Sequence, residues 1–293
     1  MIGERIAVTG GAGFIGSNLI NKLIERKHEV LSLDNLFVGK RESVPDGCHF
    51  HEVDVLSRDA RVLLRKFEPD VVIHLAAVHY IPYCNANPER TFEVNVMGTR
   101  NILESCEPDL FFFASSAAVY PNLNIPLGEE LSGPIDIYGK TKLIGEDLVK
   151  LHRSRHFIGR FFNVYGSNDL NPHLIPEIVD QIKRGLREIA LGNLTPKRDY
   201  IHVDDVTDAI IALLNSDKYG TYNIGTGIEH SVLDIIRMIS EDIGEDIRII
   251  QDKERLRKVE RESLAADNER LRSAIGWQPR VNFKDGICKL IRS

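Results

Sequence analysis

The chain alternates short apolar runs with stretches in which apolar residues recur every three or four positions. Ile6 to Val8 is a short apolar run and predicts a buried strand. Behind it, apolar residues at 15, 19, 20, 23 and 24 predict a helix through 17–24. The rhythm repeats, with strands predicted at 29–34, 49–55, 70–77, 110–116 and 157–162. Helices are predicted at 58–67, 89–106 and 137–152. Strands alternating with helices call for a doubly wound parallel sheet of the Rossmann type in an α/β fold.

Past about Tyr165 the pattern loosens. Residues 168–176 are polar and proline-bearing and predict a loop, followed by a helix at 178–186. A strand at 199–203 leads to Asp204 and Asp205, which can cap a helix at 206–215. A strand at 221–225, a helix at 231–243 with Ser231 as N-cap, and a strand at 248–250 follow. The charged run 253–261 predicts a solvated face or loop. This half predicts a smaller α+β domain, with some segments returning to the main sheet.

Glycines 10, 11, 13 and 16 lie between the first strand and the first helix. Glycine lets the backbone turn tightly and come close to a pyrophosphate, and the helix start offers free N–H groups to it. The second strand ends in Asp34, where a carboxylate can bond the ribose 2′-OH of NAD and repel the 2′-phosphate of NADP. Lys40 and Arg41 lie just beyond and argue the other way, unless they are a solvated surface pair. The fourth strand ends in small residues, Ala76 and Ala77, which leave room for a ligand. Tyr138 and Lys142 stand four apart and share a helix face. An ammonium beside a phenol favours the phenolate, which can take a proton from an alcohol as hydride leaves the same carbon. The preceding strand ends in Ser115-Ser116, where a hydroxyl can share the substrate oxygen.

Composition narrows the setting. The 293 residues carry 37 Lys and Arg against 43 Asp and Glu, a balance of −6, which gives no basis for a nucleic-acid or anionic-membrane partner. No run approaches the length of a transmembrane helix, and the first strand begins without a signal-peptide pattern. Cysteines 48, 84, 106 and 288 show neither metal-ligand spacing nor a disulfide framework, as expected in a reducing cytoplasm.

These motifs together resemble an extended short-chain dehydrogenase/reductase of the NAD-dependent epimerase/dehydratase family, nearest its UDP-glucose (UDP-galactose) 4-epimerases. The resemblance rests on the stretches 9–16, 34–35, 54–55, 74–77, 95–99 and 115–120, on Tyr138 with Lys142, and on 160–166, 198–205 and 222–225. It implies an NAD-binding domain over 1–165, to which 199–225 returns. It implies a nucleotide-sugar-binding domain from 166–198 and 226–293. Gly10, Gly13, Phe14, Ile15, Gly16, Asp34, Asn35, Asp54, Val55, Leu75, Ala76, Ala77 and Asn95 are the implied NAD contacts, with Tyr138 and Lys142. Ser116, Tyr138 and Lys142 are the implied catalytic group, and Asn163 and Arg198 the diphosphate ligands. The second diphosphate role falls to Arg255 or Arg257. The resemblance also implies a homodimer and a UDP- or dTDP-hexose substrate, with no metal.

Two departures inform the activity. Dehydratases of the family carry an acidic pair after the catalytic hydroxyl, whereas Ala117 and Ala118 stand here. That disfavours loss of water, which needs a general acid. The segment 78–85 departs from the common epimerase pattern, so His79, Tyr80 or Cys84 can set substrate choice or act as extra acid or base. The expectation is a 4-epimerase that oxidises the sugar transiently. Net redox or dehydration of a sugar nucleotide, or a non-catalytic NAD-binding regulator, are the alternatives.

Overall fold

The structure is a computed structural model that describes residues 3–252 and 261–292. Its strands in chain order are β1 (Arg5–Thr9), β2 (Glu29–Asp34), β3 (His49–Glu52), β4 (Val71–His74), β5 (Leu110–Ser116), β6 (Arg155–Phe161), β7 (Asn163–Tyr165), β8 (Glu188–Leu191), β9 (Lys197–His202), β10 (Gly220–Ile224), β11 (Glu229–Ser231) and β12 (Arg248–Gln251). Seven of them form one sheet in the order β10-β6-β5-β4-β1-β2-β3, and every pairing in it is parallel. The order reverses beside β1, between β4 and β2. In such sheets ligands bind outside the strand C-termini at that crevice.

The helices are α1 (Phe14–Glu25), α2 (Arg58–Phe67), α3 (Ile81–Ala86), α4 (Pro88–Phe92), α5 (Thr99–Leu103), α6 (Ile137–Lys150), α7 (Leu174–Lys183), α8 (Val203–Leu214), α9 (Val232–Ile243), α10 (Glu269–Ile275) and α11 (Phe283–Arg292). One face of the sheet packs on α1 and α8 through Ile6, Val8, Leu19, Leu23 and Ile210. The other face buries Ala7, Leu33, Val72, Phe111 and Phe113 with Leu64 and Ile102. Both faces are covered over the inner strands, which is why β1, β4 and β5 carry continuous apolar runs, whereas the edge strand β3 is largely exposed. A further core, with Tyr165, Ile178, Ile189, Ile235 and Ile287, lies among α7, α9, α11 and the two small sheets, β11-β9-β7 and β12-β8.

Several expectations shift. The helix anticipated at 89–106 is α4 and α5 joined by a π-helical turn, Glu93–Gly98. The helix anticipated at 178–186 is α7, which starts at Leu174, inside the stretch read as a loop. Pro176 is tolerated there because first-turn N–H groups have no partner in the helix. Asp204 and Asp205 lie in the first turn of α8 and His202 caps it, accepting from the Asp204 N–H. Asp205 instead accepts the N–H groups of Arg280 and Val281. Ser231 caps α9 as anticipated, in a full capping box with Asp234.

Candidate active site

Gly10 leaves β1 at φ +73°, and a Cβ there would stand 2.8 Å from the Ala76 nitrogen. A Cβ at Gly16 would stand 2.1 Å from the Gly10 carbonyl oxygen. These two glycines close the turn on itself. Gly13 differs, because its only near neighbour would be the Gly10 oxygen at 3.2 Å, so this side of the turn is open. Gly13 is the N-cap of α1 and no side chain caps the helix, which leaves the N–H groups of Phe14 and Ile15 without intrahelical partners. An open glycine cradle at an uncapped helix start fits a dinucleotide pyrophosphate.

Asp34 stands beside this turn and accepts the N–H groups of Ala12 at 3.0 Å and Leu36 at 2.8 Å. Burial raises its pKa, and those backbone bonds work against the rise. Its side chain fits a ribose hydroxyl better than a second phosphate. Arg41 lies over the Phe50 ring at 4.7 Å, and Lys40 is exposed. Asp54 is partly buried, which alone would raise its pKa. Bonds from the Leu56 N–H, Asn35 and Arg90 outweigh this and keep it below the usual range. Val55 is buried and its side chain fills the space a Cβ at Gly98 would need.

The end of β5 meets the start of α6. Asp136 caps α6 by accepting the Gly139 N–H at 2.8 Å. A Cβ at Gly139 would strike the Ala118 oxygen at 2.2 Å, and one at Gly145 the Phe113 ring at 2.5 Å, so glycine brings helix and strand together. The Ser116 hydroxyl accepts the Ala118 N–H at 3.1 Å and lies beside the Tyr138 hydroxyl. Lys142 is 3% exposed and donates to the Ala114 carbonyl at 2.7 Å. Its Nζ stands 6.0 Å from the Tyr138 ring centre. The serine, tyrosine and lysine are thus brought together. The charge balance differs from expectation, since burial raises the Tyr138 pKa while the Ser116 hydroxyl opposes it. Burial also lowers Lys142 to about 7, against the pull of Glu146. In the chain by itself, burial favours the neutral phenol.

Next to this group, His74 is fully buried between Thr9 Oγ1 at 2.7 Å and Thr99 Oγ1 at 3.0 Å. Burial pushes its pKa down to about 3, so it is a neutral tie between strand and helix. Asn95, on the π-helical turn, exchanges bonds with the Val78 N–H and C=O at 2.8 Å each and donates to Thr141 Oγ1 at 3.0 Å. Its amide therefore fixes the 78–85 loop to α6. Leu75, Ala76 and Ala77 are partly exposed at this strand end.

Cys84 is fully buried, donates weakly to the Val78 carbonyl at 3.5 Å, and is pushed by burial up to about 11. It packs under the loop and is no acid or base at neutral pH. Burial lowers His79 to about 4. Its ring lies 5.7 Å from His173, and the Tyr80 ring lies 6.3 Å from the same residue. His173 Nδ1 bonds Asp169 at 2.8 Å. Asp169 and His173 escaped the sequence reading, which placed both in a featureless loop.

Asn163 is exposed at the start of β7, beside Tyr200 of β9. Arg198 lies on β9 and donates to the carbonyls of Lys197 and Arg261 at 2.8 Å each. Arg255 and Arg257 lie outside the described residues. Arg261, which sequence reading left in the charged run, is buried and donates to the carbonyls of Tyr120 at 2.8 Å and Pro121 at 3.0 Å. It holds the chain just after Ser116. A buried arginine at the end of a charged run has no distinguishing mark in sequence.

Residues 6–225 match the family described as the NAD dependent epimerase/dehydratase family. The chain is 30% identical to a UDP-glucose 4-epimerase of Mycolicibacterium smegmatis, over 98% of this chain and 97% of that protein. Among solved structures it superposes on the Thermus thermophilus UDP-glucose 4-epimerase in complex with NAD, with a TM-score of 0.91, 31% identity and 98% of each chain covered. It is also similar to the UDP-N-acetylglucosamine 4-epimerase of Methanobrevibacter ruminantium M1 in complex with UDP-N-acetylmuramic acid. That match has a TM-score of 0.90 and 27% identity, and covers 100% of this chain and 98% of the other.

Proposed function

The chain belongs to the NAD-dependent epimerase/dehydratase family, and on that premise we propose that it is a nucleotide-sugar 4-epimerase of the UDP-glucose/UDP-galactose type. The single observation that carries the reading is the Ser116–Tyr138–Lys142 group, set beside an open glycine turn at the reversal of the sheet. Tyr138 takes the proton of the sugar C4 hydroxyl while Ser116 holds the same oxygen. Bound NAD⁺ supplies the hydride acceptor and later the donor, and its positive ring joins Lys142 in favouring the phenolate. Asn163 and Arg198 hold the diphosphate, so the 4-keto hexose turns without leaving. Tyr138 then returns the proton to the C4 oxygen as hydride is delivered to the other face of C4. Ala117 and Ala118, both buried, supply no acid for loss of water.

The Rossmann portion, 1–165 with 199–225, holds NAD in this reading, and 166–198 with 226–293 hold the nucleotide sugar. Phe14, Ile15 and Gly13 face the pyrophosphate, and Asp34 and Asn35 the adenosine ribose. Asp34→Asn removes the charge and keeps one acceptor, so either the Ala12 or the Leu36 N–H loses its partner. It is expected to weaken NAD binding about tenfold, the difference between a charged and a neutral hydrogen bond, and to narrow selectivity against NADP. Titration of the apoprotein with both cofactors checks this, and an unchanged preference contradicts it. A homodimer through α4–α5 and α6 is supported by Met97, 48% exposed, and Leu151, 85% exposed, on those segments. Four free cysteines suit a cytoplasmic location. Among the described residues no helix is long and apolar enough to cross a membrane.

The direct test is incubation with UDP- and dTDP-hexoses and only trace NAD⁺, followed by mass analysis and proton NMR. The expected product is an isomer of unchanged mass with an inverted C4 signal. Loss of water, or oxidation that stops when NAD⁺ is consumed, overturns the reading.

A further inference from the structure

Helix α6 faces β5 with three functional side chains one turn apart, and each meets a different residue of the strand end. Tyr138 lies beside Ser116. Lys142 Nζ donates to the Ala114 carbonyl at 2.7 Å. Glu146, completely buried, accepts the Ser115 hydroxyl at 2.6 Å. Consecutive strand residues 114, 115 and 116 are thus gripped by helix residues 142, 146 and 138. The close approach that Gly139 and Gly145 allow puts all three contacts within reach.

Glu146 is itself held from a third element. Arg160 of β6 donates to both of its carboxylate oxygens, at 2.9 Å from Nε and 2.8 Å from the terminal nitrogen. Arg160 is 3% exposed and is fixed in turn by the carbonyls of Glu129 and Leu131 at 3.0 Å each. A bidentate guanidinium–carboxylate pair admits one geometry, unlike a lysine contact. A buried pair of this kind contributes little net stability against a well-packed apolar alternative, so its presence beside a catalytic helix calls for another reason.

We infer that Glu146 is a positioning residue that sets the register of Tyr138 and Lys142 against Ser116 and keeps Lys142 charged. The inference rests on the proposed roles of those three residues. Around Lys142 stand Tyr138 and Glu146 on its own helix, His74 at the end of β4, His79 in the loop that follows, and Cys84 on α3. His74 and His79 are neutral near pH 7 and the Cys84 thiol is protonated, so Glu146 is the nearby group carrying negative charge. Its carboxylate opposes the burial that would strip Lys142 of its proton. Arg160, at 2.8 Å from Glu146, and Lys150, at 3.3 Å, add positive charge around it and make the carboxylate more necessary.

The test compares Glu146→Gln, Glu146→Asp and Ser115→Ala in the NAD-loaded enzyme. Glu146→Gln is expected to lower kcat at least tenfold with KM changed little. It should also move the alkaline limb of kcat against pH about one unit lower, because a buried lysine without its anionic neighbour loses its proton sooner. Glu146→Asp keeps the charge, so its limb should return toward the wild-type position even where kcat remains reduced. Should Glu146→Gln fail to fold with Arg160 unpaired, Ser115→Ala removes one grip without unpairing a charge and should lower kcat several-fold with a wild-type melting temperature. A Glu146→Gln enzyme with wild-type kcat and limb overturns the inference, as does Ser115→Ala with wild-type kcat. Lys142→Met serves as the control. If it retains full turnover, the catalytic reading itself fails, whereas an inactive Lys142→Met beside an unaltered Glu146→Gln sinks only the role given to Glu146.

Discussion

Tyr138→Phe is expected to lower kcat by about three orders of magnitude or more, the range of a lost general acid–base group, while NAD stays bound. The phenol is the group that lies beside Ser116 at the strand end, and phenylalanine keeps the ring that packs beside Cys84. The backbone contact that depends on this turn of α6, the Tyr138 carbonyl accepting the Thr141 hydroxyl at 2.8 Å, is untouched. Loss of activity should therefore come without loss of folding or cofactor. Turnover measured at saturating substrate, with bound NAD counted by absorbance after denaturation, separates the two. A variant that turns over like wild type removes Tyr138 from the chemistry.

The second large effect concerns Asp199, which sequence reading treated only as the start of a strand. Its carboxylate is fully buried and takes four hydrogen bonds. These come from the Thr226 N–H at 2.9 Å, the Thr226 hydroxyl at 2.6 Å, the Gly227 N–H at 2.8 Å and the Ala266 N–H at 3.1 Å. Burial raises its pKa, and these donors oppose the rise. The side chain ties β9 to the turn after β10 and to the segment that follows Arg261. Asp199→Ala strands four donors in the interior at once and is expected to cost about 3 kcal/mol or more. Asparagine is no remedy, because its NH₂ would face N–H donors. Chemical denaturation of the variant checks this, and a loss below about 1 kcal/mol would show that water or a shift of the turn replaces the carboxylate. Because β9 carries Arg198, substrate affinity should fall with it.

The parallel sheet was legible because both faces of its inner strands are covered, so β1, β4 and β5 are apolar runs that helix periodicity does not mimic. The glycine turn, Asp34, Ser116, Tyr138 and Lys142 were legible because each has a fixed place relative to a strand end. What escaped depends on contacts between distant segments. Glu146 reads in sequence as one more acid on a helix, and only Arg160 of β6 and Ser115 of β5 give it meaning. Asp169 and His173 acquire a context only when His79, from the other half of the chain, comes to lie against them. Cys84 qualifies in sequence as an extra acid or base because its segment follows a strand end, and burial removes that role. The π-helical turn that aims Asn95 at Val78 leaves no trace in periodicity, since one turn is too short to shift the apolar pattern.

The central claim is that the carbon that loses hydride receives the same hydride back on its other face. It is tested most directly with a UDP-hexose carrying deuterium at C4, incubated with the NAD-loaded enzyme in ordinary water. The account predicts that the C4 epimer forms with its deuterium retained at C4. Epimer that carries hydrogen at C4, or deuterium that collects in free NADH while the sugar stays oxidised, would contradict it.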